Sequence, residues 1–205
     1  TWHAAGLVSQ LGPTAAVTKI RKYTLDLYKK LEKEVDHSAG LRLNGALSIA
    51  QTNSRWQELK RQATTAQLYD VDIDILDSDT IKKRYPMMHT EDLKGGVLMS
   101  GDGAADPSGV THMLAKAARK GGAKIFEQSP VEKILIKNKR VHGVKVNGQI
   151  IECEYIVLAT GMWSRQIGEK INVSIPLYPA EHFYVITEPI EDLSKTLPVI
   201  RDFDS

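Results

Sequence analysis

The chain has 205 residues, 42% hydrophobic and 25% charged, with a formal net charge of +2. That length and balance suit one sizeable core or most of two interleaved ones, and exclude a disordered or fibrous chain. The charge is too small and too dispersed for a nucleic-acid or anionic-membrane surface, no apolar run reaches the roughly 20 residues of a membrane span, and the single Cys153 excludes an internal disulfide and fits a reducing compartment.

After Leu11-Gly12-Pro13, the apolar positions Val17, Ile20, Leu27, Leu31 and Val35 recur at helical multiples behind a Thr14 cap, predicting an amphipathic helix to about Asp36. Gly45 to Thr52 alternates as a strand, with Ala46, Ser48 and Ala50 on one face and Leu47 and Ile49 on the other. Asn53 is placed to cap a second helix through Trp56, Leu59 and Ala63, and Ser78 to Tyr85 reads as a third, short helix stopped by Pro86. From Gly96 the pattern predicts a crossover unit: strand Val97 to Met99, a loop, a helix capped by Asp106 with Pro107 at its first position, and strand Lys124 to Phe126. A small antiparallel meander is expected next: Val131 to Lys137, Val141 to Val146 and, after a tight turn at Asn147-Gly148, Gln149 to Glu152. Tyr155 to Ala159 is a continuous apolar run of the kind buried on both faces of a parallel sheet, and Glu181 to Thr187 predicts a further strand.

Chemistry-bearing residues fall at three places. At the start, Thr1-Trp2-His3-Ala4-Ala5-Gly6-Leu7 sets one imidazole among small neighbours that would let a flat ligand come close. Taken alone, His3 beside Trp2 reads as a structural side chain whose ring nitrogen finds a backbone partner. Thr160-Gly161 follows the buried run, where a missing Cβ lets backbone approach a ligand. His182 and Tyr184, two apart in a strand, share a face; an imidazole beside a phenol can relay a proton, or the two can simply bond each other at a sheet edge. Gly101-Asp102-Gly103-Ala104-Ala105-Asp106 imitates a dinucleotide turn, but Asp106 stands where the third glycine belongs and serves better as a helix cap. His37, His89, His112 and His142 share no spacing, no set of residues suits a metal, and no Gly-x-Ser-x-Gly elbow occurs.

The opening heptapeptide, together with Gly101 to Pro107, Ala159 to Arg165, Pro179 to Val185 and Pro198 to Asp202 in that order and spacing, resembles the dimethylglycine and sarcosine dehydrogenase family within the D-amino-acid-oxidase-like flavoproteins. The resemblance implies a mixed α/β fold in which a partial FAD-binding Rossmann-like domain is interleaved with an antiparallel-sheet substrate domain. Residues 1–39 would be an FAD-domain segment and its following helix, 40–100 a substrate-domain segment, 101–169 an FAD-domain segment with the meander, and 170–205 truncated substrate-domain strands. The family's Gly-x-Gly-x-x-Gly strand and its later carboxylate-binding segments would lie outside these residues, with Arg201 a candidate anchor within them.

The resemblance further implies oxidation of the N-methyl group of a secondary or tertiary amino acid by hydride transfer to flavin. His3 would be a covalent FAD tether, and Trp2, Ala4, Gly6, Leu7, Val131, Thr160, Gly161 and Trp163 would border the cofactor. For Val131 an ordinary strand role, and for Trp163 a packing role, stand beside that reading. His182 and Tyr184 would handle the amine proton. The one-carbon product would hydrolyse or pass to tetrahydrofolate in a C-terminal region; the electron acceptor is unspecified, and the location implied is the bacterial cytoplasm or the mitochondrial matrix. Two alternatives accompany this reading: a non-catalytic flavoprotein-like regulatory subunit, and another amine or amino-acid oxidase of the same larger group.

Overall fold

The computed structural model describes residues 3–204. In chain order its elements are β1 (Leu7–Val8), α1 (Ala15–Val35), β2 (Ala46–Ala50), α2 (Asn53–Gln67), β3 (Asp74–Leu76), α3 (Ser78–Arg84), β4 (Gly95–Met99), β5 (Gly103–Ala104), α4 (Pro107–Lys120), β6 (Val131–Lys137), β7 (Arg140–Val146), β8 (Gln149–Glu152), a 3-10 turn (Gly161–Trp163), α5 (Ser164–Glu169) and β9 (Val199–Asp202). Two compact units result: one takes the described residues up to Lys124 with Asp192 onward, the other Ile125–Glu191.

The larger unit is organised by β2, whose five residues are all buried. It lies in a sheet of order β3-β4-β2-β9, antiparallel to β4 and parallel to β9. The alternation read from the sequence is realised with both faces covered. Leu47 and Ile49 join Ile81, Tyr85 and Leu98, while Ala50 meets Leu59 and Ala63 of α2 together with Val97. Side chains such as Leu47 and Leu59, at 1% and 0% exposure, each contribute about 1.5–3 kcal/mol by leaving water.

Local chemistry sets the helix ends. The Thr14 and Asp106 side chains cap α1 and α4 as expected, and Asp36 closes α1 in the left-handed region. The cap of α2 is Thr52, one residue before Asn53, and Asp77 caps α3. The buried face of α1 departs from the one predicted at Ile20, which is 64% exposed; Val35 is inside as expected, Val17, Leu27 and Leu31 are half-buried, and Thr18 and Leu25 join the interior. Thr18 tolerates full burial because its hydroxyl donates to the Thr14 carbonyl and accepts from the Gly12 N–H.

The expected crossover unit does not form. β4 is antiparallel to both of its neighbours, and residues 124–126 are not a strand. The loop before α4 instead holds β5, which pairs antiparallel with β1 and bridges Arg42. Gly103 is required there, since a Cβ would strike the Arg42 carbonyl oxygen.

The smaller unit is built on the meander β6-β7-β8. Its turns, Asn138-Lys139 and Asn147-Gly148, both have positive φ at each central residue, the geometry that matches the twist of paired strands. The run 155–159 is in no ladder, and Tyr155 and Val157 are 84% and 88% exposed. Residues 181–187 likewise pair with nothing in the described chain. The composition of a central strand is present in the first run, but no described strand takes up its N–H and C=O groups.

Replacing Gly103 by Ala should lower unfolding free energy by about 2 kcal/mol. Gly121→Ala, where the nearest atom lies at 3.4 Å, should change it by less than about 0.5 kcal/mol. Denaturant midpoints read both, and equal midpoints would contradict the close approach at Gly103.

Candidate functional site

In the larger unit the N-terminal segment is fixed by backbone. β1 pairs with β5, and the Ala105 N–H donates to the Gly6 carbonyl at 2.8 Å. Gly6 has φ +73°, and a Cβ there would meet the Ala105 carbonyl oxygen. Its small size is therefore used in chain packing. His3 and Ala4 are exposed, and Leu7 is 49% exposed. Trp2 lies outside the described residues.

Past β1, the Gln10 N–H donates to Asp102 Oδ1 at 2.9 Å. Asp102 has no solvent exposure, and its Oδ2 lies 3.8 Å from Arg201 Nη2 on β9. Neither Asp102 Oδ2 nor Arg201 Nε has a hydrogen-bond partner. At that separation attraction does not repay desolvation: burial pushes the Asp102 carboxyl up and the Arg201 guanidinium down, each against the direction that pairing favours.

Arg201 reaches the wall of a cavity of about 460 Å3, with Arg21 of α1, Arg55 and Arg61 of α2 and Ser48 of β2. Arg21 Nη1 donates to Ser9 Oγ at 3.2 Å and to the Leu11 carbonyl at 2.5 Å. Arg55 meets Asp204 at 3.4 Å. Arg61 grips Glu58 through two bonds of 2.7 and 2.6 Å, which with Gln62 hold the Glu58 carboxyl down at about 2. Sequence reading missed this group. Its members come from elements up to 180 positions apart, and only Arg201 carried a signal, as a cation near a strand end.

In the smaller unit, Val131 and Thr160 line one mostly apolar pocket of about 170 Å3, walled by Ile134, Val144 and Leu158. That is smaller than a typical drug-sized site and of a size for one flat ring. Thr160 Oγ1 bonds Ser164 Oγ at 2.9 Å. Gly161 follows with φ +54°, and no atom lies within 4 Å of where its Cβ would stand. This is a left-handed residue beside open space, as a closely approaching ligand requires. Trp163 is 60% exposed on the 3-10 turn. His182 and Tyr184 are exposed in a segment outside any helix or strand, with no hydrogen bond between them. Val131, Thr160 and Gly161 thus lie together; His182 and Tyr184 are in the same unit, outside that pocket's lining. No group of His, Cys, Asp and Glu suited to a metal occurs among the described residues, and no described helix is long and apolar enough to cross a membrane.

A family model described as FAD dependent oxidoreductase matches residues 1–205. The chain belongs to this family. It is 35% identical over 205 residues to 4-methylaminobutanoate oxidase (formaldehyde-forming) of Paenarthrobacter nicotinovorans, covering 100% of this chain and 25% of that protein. Mitochondrial sarcosine dehydrogenase of Homo sapiens is 34% identical over 211 residues, covering 100% of this chain and 23% of that protein. The fold is similar to the crystal structure of L-proline dehydrogenase from P. horikoshii, with a TM-score of 0.84, 26% identity, and coverage of 96% of this chain and 52% of that one. The chain thus spans about a quarter of the length of these curated relatives. The dehydrogenase likeness read from the sequence and the mixed α/β fold are both borne out.

The lowered pKa of Glu58 has a testable sign. A carboxyl whose folded value lies below its unfolded one stabilises fully above the unfolded value and loses that contribution as pH falls toward the folded one. Here the window runs from 4.5 down to about 2. With Glu58 36% exposed, solvent screening limits the effect to about 0.5 kcal/mol. Glu58→Gln should flatten the acid limb of a stability-versus-pH curve in that window, and an unchanged limb would contradict the pairing.

Proposed function

We propose that this chain is part of an FAD-dependent enzyme that oxidises an N-methylated secondary or tertiary amino acid of the dimethylglycine or sarcosine type. The observation that carries the reading is Gly161, left-handed and beside open space, next to the Val131 and Thr160 pocket, in a member of a flavin-dependent family. The donor set fits the group: a ring-sized apolar pocket for a flat heterocycle, and backbone without a side chain where a dinucleotide passes. Val131, Thr160 and Gly161 would hold the dinucleotide, with Trp163 at its border. Ala4, Gly6 and Leu7 would carry His3 to the ring, and Trp2 would flank it. When bound, the flavin supplies a two-electron acceptor for the carbon beside an amine nitrogen.

The chain's own task is to deliver that amine deprotonated. An imidazole is the side chain suited to accept a proton near neutral pH. His182 would take the proton from the amine nitrogen, and Tyr184 would orient it. Positioned acid–base groups of this kind contribute about 10²–10⁴ in rate. Residues 1–39 and 101–169 would serve the cofactor domain, 40–100 and 170–205 the substrate domain. By the same likeness, tetrahydrofolate would take up the one-carbon unit and the location would be the bacterial cytoplasm or the mitochondrial matrix; the electron acceptor is unspecified.

The intact polypeptide carrying these residues should keep its yellow colour after acid precipitation, and His3→Ala should release that colour to the supernatant. A pellet of the His3→Ala variant that stays yellow would remove the tether. Anaerobic dimethylglycine or sarcosine should bleach the flavin; persistent colour with these and other amines would favour a non-catalytic subunit.

A further inference from the structure

We propose that the Asn147-Gly148 turn of the meander is a site of hydrolytic deamidation, and that the Glu132 carboxylate holds its rate down. Asparagine is a thermolabile residue, most so before glycine, whose nitrogen no side chain shields. Two Asn-Gly pairs occur in the chain, Asn44-Gly45 and Asn147-Gly148, and their surroundings differ. Gly45 is buried. Its N–H donates to the Asp102 carbonyl at 2.8 Å, its carbonyl accepts from the Val199 N–H at 3.0 Å, and the Asn44 side-chain amide donates to the Lys195 carbonyl at 2.9 Å. Reaction there would have to break these bonds inside the packed sheet. Asn147 and Gly148 are exposed, and no atom lies within 4 Å of where a Gly148 Cβ would stand. Restraint comes from β6: the Gly148 N–H donates to Glu132 Oε1 at 2.9 Å, and Lys145 Nζ stands 3.5 Å from Glu132 Oε2.

The reaction needs only water. The Gly148 nitrogen attacks Asn147 Cγ, the bond from Cγ to the side-chain nitrogen breaks, and ammonia leaves with the proton that Gly148 gives up. Water then opens the cyclic imide at one of its two carbonyls, giving aspartate or isoaspartate. Because the imide nitrogen is planar, the new N–Cγ bond takes the direction of the former N–H bond. Glu132 Oε1 occupies that direction. The bond from Gly148, and after it Lys145, hold the Glu132 carboxyl below its ordinary range, so at neutral pH the guard is an anion and its bond a charge-assisted one. Isoaspartate adds a methylene carbon to the main chain at Asn147, whose φ of 50° beside Gly148 at 78° aligns β7 with β8. The Val146–Gln149 pairing beside the turn is the first contact it would loosen. The site does not rest on the flavin reading.

Peptide mapping by mass spectrometry, on the intact polypeptide aged in mildly alkaline buffer, tests this. Conversion should appear at Asn147 while Asn44 is retained, and should be slower than in urea, where both sites should convert at closely similar rates. Glu132→Ala should raise the folded-state rate at Asn147 by about fivefold, the factor for one hydrogen bond of ordinary net strength that no longer has to break. Glu132→Gln, which keeps an acceptor oxygen, should fall between the two. Circular dichroism confirms that each variant folds, and equal rates of variants and parent in urea assign the difference to the fold. Conversion at Asn44 matching or preceding that at Asn147, in the folded protein, would overturn the site. A Glu132→Ala rate at or below the parent's, or a Glu132→Gln rate as high as that of Glu132→Ala, would overturn the guard.

Discussion

A fully buried carboxylate, Asp102, ties together three segments that are far apart in sequence. It accepts from the Gln10 backbone, sits in the turn between β4 and β5, and faces Arg201 on β9. Its neighbour Gly103 allows β5 to run against Arg42 while pairing with β1. The position of the segment from His3 to Leu7 depends on this arrangement, because the segment has no helix of its own and is held by a two-residue strand and the backbone bond to Ala105. The constraint has an energetic cost: Asp102 and Arg201 are both out of water and incompletely paired. Such a pair is weak evidence for stability. What it does supply is a fixed position for a guanidinium at a cavity wall.

The smaller unit presents a different balance. The meander closes its own hydrogen bonds through two tight turns, so it forms from local instructions. The residues after it do not. Tyr155, Val157 and the segment around His182 are exposed and in no ladder, with Ile156 and Leu158 half-buried, yet their composition is that of buried strands. A sheet is a cooperative object in which each strand depends on partners.

Legibility followed the range of the interaction. Thr14, Asp106-Pro107 and Asn147-Gly148 could be read because a cap or turn is decided within four residues. The two faces of β2 could be read because alternation reports burial directly. The crossover at residues 96–126 could not: a strand, a capped helix and an apolar triplet look alike whether the sheet is parallel or antiparallel, and only the pairing of β4 with β2 and β3 decides. Thr18 was hidden because a polar residue enters a core only when distant or local partners satisfy it, here Gly12 and Thr14. Of the proposed flavin-side residues, Gly161 was legible as a glycine ending an apolar run. The arginine cavity, assembled from α1, α2 and β9, was not.

The flavin proposed for this chain would lie along Val131, Thr160 and Gly161 of the smaller unit. Hydrogen exchange of the intact polypeptide with and without FAD addresses it directly. The account predicts slower exchange in the bound form at the amides around Val131 and Gly161. Protection confined to other regions, with these amides exchanging at the same rate in both forms, would contradict it.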